Sequence, residues 1–142
     1  MNKSVFKAYD IRGKYPEEIN ESVAYTIGKS YGSYLKKFLG KNKCVIGMDN
    51  RLSSKSLKTA LKEGLLDSGI NVIDYGEITT PMHYYTRYIE NTYGIMVTAS
   101  HNPKDDNGFK FSFDPVANAR GEMIEDFKDF TFKEDFLEGK GM

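Results

Sequence analysis

The stretch Tyr93–Phe113, YGIMVTASHNPKDDNGFKFSF, decides the fold. Tyr93, Ile95 and Val97 alternate with Gly94, Met96 and Thr98, a β-branched and apolar run that suits a buried strand. The run stops at Ala99, and Asn102-Pro103 cannot continue a central strand because proline brings no N–H to the ladder. Asn107-Gly108 marks a second turn, after which Phe109, Phe111 and Phe113 alternate with Lys110 and Ser112 as an antiparallel strand. Ser100 therefore sits at a strand end, beside His101 and Asn102 and close in sequence to Lys110, where chemistry on an anion is plausible on residue type alone.

Outward from that stretch the pattern alternates strand and helix. CVIGM, residues 44–48, is a short continuous apolar run, the mark of a strand covered on both faces, and Asp49-Asn50-Arg51 follows at its end. Ser53 or Ser54 is the expected N-cap of a helix carrying Leu57, Leu61 and Leu65, closed by Gly69. Asn71–Tyr75 is a second strand. Thr80-Pro81 opens a helix whose Tyr84, Tyr85, Tyr88 and Ile89 read as core. Upstream, Val23, Ile27, Tyr31, Tyr34, Leu35 and Phe38 form one helical stripe between Pro16 and Leu39, ended near Gly40. Before it, residues 4–15 read as an extended arm breaking at Gly13. A last helix is expected over Glu122–Phe132, with Met123, Phe127 and Phe130 inward.

Strand-helix repetition implies right-handed crossovers and parallel pairing, and the final turn, which reverses direction, makes the sheet mixed. The expected fold is α/β, with a mixed four-stranded sheet whose first three strands are parallel and whose last is antiparallel. Loops after the carboxyl ends of parallel strands gather on one edge, which brings Asp49–Arg51, Ile78–Pro81 and Ala99–Asn102 together. Residues 1–132 form one domain, and 133–142 read as a linker or frayed tail.

Composition narrows the partners. The 142 residues hold 20 basic and 20 acidic side chains, so no overall field favours nucleic acid or an anionic membrane, and attraction for phosphate must be local. The single cysteine, Cys44, excludes an internal disulfide and reads as a small buried hydrophobe. The first residues lack the apolar core of a secretory signal and no apolar run has the length of a membrane span, so the expected setting is cytoplasmic. Asp105 and Asp106 lack the spaced ligand set of a calcium loop and read as turn formers.

Five motifs, FKAYDIRG (6–13), MDNRLSS (48–54), TTPMHYY (79–85), GIMVTASHNP (94–103) and NGFKF (107–111), together resemble the first domain of the α-D-phosphohexomutase family, in order and spacing. The YDIRG form is similar to the phosphomannomutase/phosphoglucomutase branch. Met48 departs from the arginine that many members carry there, leaving Arg51 as the basic residue of that stretch.

The resemblance implies a three-layer α/β/α domain, a Ser100 that is phosphorylated in the active enzyme, and interconversion of hexose 1-phosphate and hexose 6-phosphate through a bisphosphorylated sugar. By motif position it implies Ser100, Lys110, Arg12 and His101 as catalytic, Tyr9, Arg12 and Asn102 as substrate-binding, and Mg²⁺ held through the phosphate of Ser100. Glucose 1,6-bisphosphate is the implied activator. A phosphosugar and further domains of a parent chain are the implied partners, with most metal ligands supplied by a second domain. A non-catalytic module binding a phosphorylated ligand through the same turn is the alternative. A serine hydrolase lacks its G-x-S-x-G elbow, and neighbouring side chains in an extended turn diverge, which places His101 poorly as a base for Ser100.

Overall fold

The computed structural model describes residues 1–100, 102–113 and 119–142. Five strands, β1 (Ile11–Lys14), β2 (Lys43–Met48), β3 (Asn71–Glu77), β4 (Tyr93–Val97) and β5 (Asp106–Phe111), form one sheet in the order β1-β5-β4-β2-β3. Two crossovers pair β2 in parallel with β3 and β4, while β5 runs antiparallel to both β4 and β1. The mixed α/β architecture expected from the sequence is present. The count of four strands is corrected to five, because the presumed arm is an edge strand whose Ile11 pairs with Phe109 and Lys14 with Asp106.

Side-chain alternation sorts the sheet into two faces. Cys44, Ile46, Ile95, Val97, Phe109 and Phe111 join the main core with residues of α1 (Glu21–Phe38), α2 (Ser54–Asp67) and α4 (Glu122–Lys133). Gly47, Gly94, Met96 and Lys110 turn the other way, where α3 (Thr80–Glu90) covers part of the sheet. Tyr31 is fully buried in the main core, and its phenol donates to the Ser112 carbonyl at 2.7 Å, satisfying the one polar atom it buries. Phe111, Phe113 and Phe127 pack around its ring.

Local chemistry sets the helix ends. The Asn20 side chain accepts from Val23 N at 3.0 Å, Glu21 stands in the first turn of α1 and Lys36 and Lys37 in the last, all in the sense the helix dipole favours. The helix consequently starts at Glu21 rather than Pro16, the intervening residues being tied back to Lys14 O by the amides of Glu18 and Ile19. Thr79 caps α3 by accepting from Met82 N, with Pro81 in the first turn. Ser53 precedes α2 without capping it. Ser54 is instead the first helical residue, and its hydroxyl donates to Asp49 Oδ1 at 2.6 Å.

Two local expectations are corrected. Asn107-Gly108 is not a turn: both residues lie inside β5, and the reversal occurs earlier, where Asp106 N donates to Pro103 O. A buried asparagine is tolerated in the strand because its amide donates to Ser53 Oγ at 2.8 Å and Ser54 Oγ at 3.0 Å. The tyrosine stripe of α3 faces outward, with Tyr85 63% and Tyr88 80% exposed, while His83, Thr86 and Arg87 face the sheet. Gly94 makes room for the His83 ring, since a Cβ there would stand 2.9 Å from His83 Cε1. The tail is tied down at several points: Leu137 N donates to Ser33 Oγ, Gly139 N to Asp67 O and Gly141 N to Leu66 O, and Lys29 Nζ reaches Leu137 O and Glu138.

Candidate functional site

β2, β3 and β4 all end at one edge of the sheet, and the loops that leave them enclose a cavity of about 760 Å³. Asp49, Asn50 and Arg51 line it from β2, Glu77 to Thr80 and Met82 from the β3–α3 connection, Thr98 and Ser100 from the end of β4, and Met96 and Lys110 from the floor. Lys110 is placed there by strand period. Phe109 and Phe111 point into the core, so the residue between them emerges on the opposite face, paired with Met96. The N-terminus of α3 also opens on this cavity, and its dipole favours an anion.

Ser100 is held in the left-handed region at φ 55°, uncommon for a residue with a side chain. Its amide donates to Thr98 Oγ1 at 3.0 Å, and Thr98 Oγ1 donates to Asp49 Oδ2 at 2.7 Å. The same carboxylate accepts from Arg51 Nε at 3.1 Å, and the Arg51 guanidinium reaches the Ser100 loop through backbone carbonyls. Asn102 accepts from Arg12 Nη1 at 3.1 Å and donates to Asp106 Oδ2 at 3.0 Å, which links β1 to the loop. Asp10 is 3% exposed; its Oδ1 stands 3.5 Å from Arg12 Nε and has no hydrogen bond among the described residues. Burial raises its carboxyl above the ordinary range, against the opposing pull of Arg12, Lys110 and Lys7.

Of the residues singled out from sequence, Ser100 and Lys110 line one cavity, and Arg12 meets the same loop through Asn102. Tyr9 is 69% exposed and lines a different hollow with Ala8 and Arg120–Met123. His101 lies outside the described residues. Asp10 and Thr98 were not read as site residues from sequence, although both fall inside motifs already noted, YDIRG and TASHNP. Among the described residues no group of three or more His, Cys, Asp or Glu is placed to hold a metal ion. Of the two acids lining the cavity, Asp49 is committed to Thr98, Ser54 and Arg51. The described donor set therefore does not build a Mg²⁺ site by itself.

A family model described as phosphoglucomutase/phosphomannomutase, alpha/beta/alpha domain I, matches residues 3–138. The chain belongs to this family. A phosphomannomutase of Vibrio cholerae is 52% identical over 107 residues, 74% of this chain and 23% of that protein. A phosphoglucomutase of Neisseria gonorrhoeae is 37% identical over 138 residues, 96% of this chain and 30% of that protein. The crystal structure of a phosphoglucomutase/phosphomannomutase family protein from Burkholderia thailandensis superposes with a TM-score of 0.90 at 34% identity, covering 99% of this chain and 32% of that one. This phosphoglucomutase/phosphomannomutase domain thus spans about a quarter of the length of the curated relatives named here. Among the described residues no helix is long and apolar enough to cross a membrane.

Proposed function

We propose that this chain is the phosphoserine-bearing domain of an intramolecular phosphotransferase that interconverts hexose 1-phosphate and hexose 6-phosphate, with mannose or glucose as the sugar. The observation that carries the reading is Ser100, presented at a left-handed position on the lip of a cavity that also holds Lys110 and the N-terminus of α3. A phosphoserine brings close to two negative charges and three acceptor oxygens, and a lysine with a helix N-terminus suits that load.

In the forward step a sugar hydroxyl attacks the phosphorus of phosphoserine 100. The bond from phosphorus to the Ser100 oxygen breaks, and the proton leaving the sugar hydroxyl is passed, with Lys110 as the relay, to the serine oxygen as the sugar bisphosphate forms. The reverse step, on the bisphosphate turned end for end, returns the other phosphoryl group to Ser100. Lys110 serves as base in one direction and acid in the other. Arg12, with its planar fork, and Asn102 orient the phosphosugar, Tyr9 offers a further sugar contact from its own exposed hollow, and His101 supports the phosphate. Mg²⁺ belongs to this reading through an oxygen of the Ser100 phosphate, its other ligands coming from beyond the described residues, and glucose 1,6-bisphosphate is the priming donor. A cytoplasmic setting and sister domains of one parent chain complete it, with residues 133–142 as the connection.

The test is intact mass after incubation of the polypeptide, in the length its gene encodes, with glucose 1,6-bisphosphate and Mg²⁺. The expected result is one added phosphoryl group that disappears in Ser100→Ala. A wild-type mass that never changes overturns the carrier role. Saturable binding of the donor without modification is instead the signature of a non-catalytic phosphate-ligand module.

A further inference from the structure

We infer that Arg51 is a positioning residue for Ser100: it clamps the Ser100–Asp106 loop by its carbonyl oxygens and makes no bond to the anion. The functional half of this inference rests on the phosphoserine role proposed above. The structural half does not.

A guanidinium carries five N–H groups and is never neutral in a protein. Nε donates to Asp49 Oδ2 at 3.1 Å. Nη1 donates to Pro103 O at 2.6 Å and to Asp106 O at 3.1 Å. Nη2 donates to Ser100 O at 2.8 Å and to Asn102 O at 2.9 Å. All five donors are used, although the side chain lines the same cavity as Ser100 and sequence reading left it as the basic contact of its stretch. Nothing remains with which to fork onto a phosphate.

The four carbonyls belong to a loop that leaves β4 and returns as β5, so a single planar group ties down the whole reversal. Such a loop needs an outside anchor, because Ser100 sits at φ 55° and Pro103 has no amide to contribute. Asp49 fixes the guanidinium and, through Thr98 Oγ1, the Ser100 amide. The Asp49–Arg51 pair at the end of β2 therefore holds the nucleophile from both sides. Lysine cannot replace this arginine, since three donors on one nitrogen do not span four carbonyls and a carboxylate.

The experiment uses Arg51→Lys and Arg51→Gln. In the unmodified chain, amide hydrogen exchange at Asn102 and Asp106 should rise about 100-fold in both variants, the equivalent of losing one strong charge-assisted bond. Exchange of the core amides of Ile46 and Leu61 should stay at the wild-type rate. Wild-type exchange in the loop of Arg51→Lys overturns the clamp, and so does a rise shared equally by loop and core, which would make Arg51 a general stability residue. In the phosphorylation assay, Arg51→Lys should be as slow as Arg51→Gln, about 100-fold below wild type. Rescue by lysine would mean that Arg51 serves as a point charge for the phosphate, and the inference falls. If wild type itself accepts no phosphate, the carrier role fails while the exchange comparison still decides the clamp.

Discussion

Arg12 Nη1 donates to Asn102 Oδ1 at 3.1 Å, joining two residues 90 positions apart. The contact exists because β1 pairs with β5, Arg12 opposite Gly108, where any Cβ would overlap the Ile11 carbonyl oxygen. An edge strand thus delivers an arginine to the loop of Ser100. Arg12→Lys keeps a cation but loses the second edge of the fork. Phosphoryl transfer should fall by about 100-fold, the scale of removing one donor at a reacting oxyanion. The side chain is 37% exposed, so melting temperature should hardly change, with stability within about 0.5 kcal/mol of wild type. Initial rates and a thermal melt on the same preparation check both halves.

Asp10 stands behind Arg12 and sets a conflict between stability and orientation. Burial raises its carboxyl above the usual range, so the folded chain holds this proton more tightly than the unfolded chain does. The stability tied to that tighter hold is fully present below the ordinary carboxylate pKa and is lost as pH rises through the raised value. At neutral pH the buried charge is therefore a cost, which Arg12 at 3.5 Å only partly offsets. Asp10→Asn should melt no lower than wild type at pH 7, and any advantage should vanish in acid, where both side chains are neutral. Phosphoryl transfer should nevertheless drop, because Arg12 loses the carboxylate that aims it. A variant less stable than wild type at pH 7 would show that the ion pair outweighs burial.

Period and punctuation made the β4–loop–β5 unit legible, because a proline three residues past Ser100 and the alternation of Phe109, Phe111 and Phe113 each have one structural meaning. They also placed Lys110, whose direction follows from its two neighbours. The tyrosines of α3 were misread for a physical reason. An apolar stripe at helical spacing specifies a face but not what lies against it, and the sheet beneath α3 offers Gly94, which admits His83. Asn107-Gly108 misled in the same way: its turn signal is local, whereas the two serines that satisfy Asn107 sit at the start of α2. The role of Arg51 was out of reach, since a residue that binds carbonyls leaves no trace in the types of residues it binds.

His83 supplies an acid-sensitive element on the second face of the sheet. It is 2% exposed, neither ring nitrogen has a hydrogen-bond partner among the described residues, and burial, with the charge of Arg87, lowers its pKa to about 3. Above the ordinary histidine pKa the neutral ring costs nothing extra. As pH falls from about 6.5 toward 3 the unfolded chain takes up a proton that the folded chain refuses, so stability is lost across that window. By pH 4 the loss should reach roughly 3 kcal/mol at 1.4 kcal/mol per pH unit. His83→Phe removes the titration, and denaturant midpoints at pH 7 and pH 4 should converge in the variant relative to wild type. Equal acid sensitivity in the two proteins would exclude His83 as the source.

The crossing of α1 and α2 is set by a pair of glycines, and their replacement separates contact from conformation. A Cβ on Gly64 would overlap the Tyr25 carbonyl and stand 2.9 Å from Lys29 N, and one on Gly28 would overlap the Leu61 carbonyl and stand 2.9 Å from Leu65 N. Gly64→Ala gains about 1 kcal/mol of helix propensity, yet it should destabilise the domain by about 1–3 kcal/mol, because two backbones must move apart. Gly40, just beyond α1, has open space around it but a φ of 63°, so Gly40→Ala should cost about 1–2 kcal/mol through its backbone alone. Asparagine distinguishes the causes, since it tolerates the left-handed region but is larger than alanine. Gly40→Asn should recover most of the loss and Gly64→Asn none of it. Urea midpoints of the four variants measure this, and recovery at position 64 would mean that the helices are not in backbone contact there.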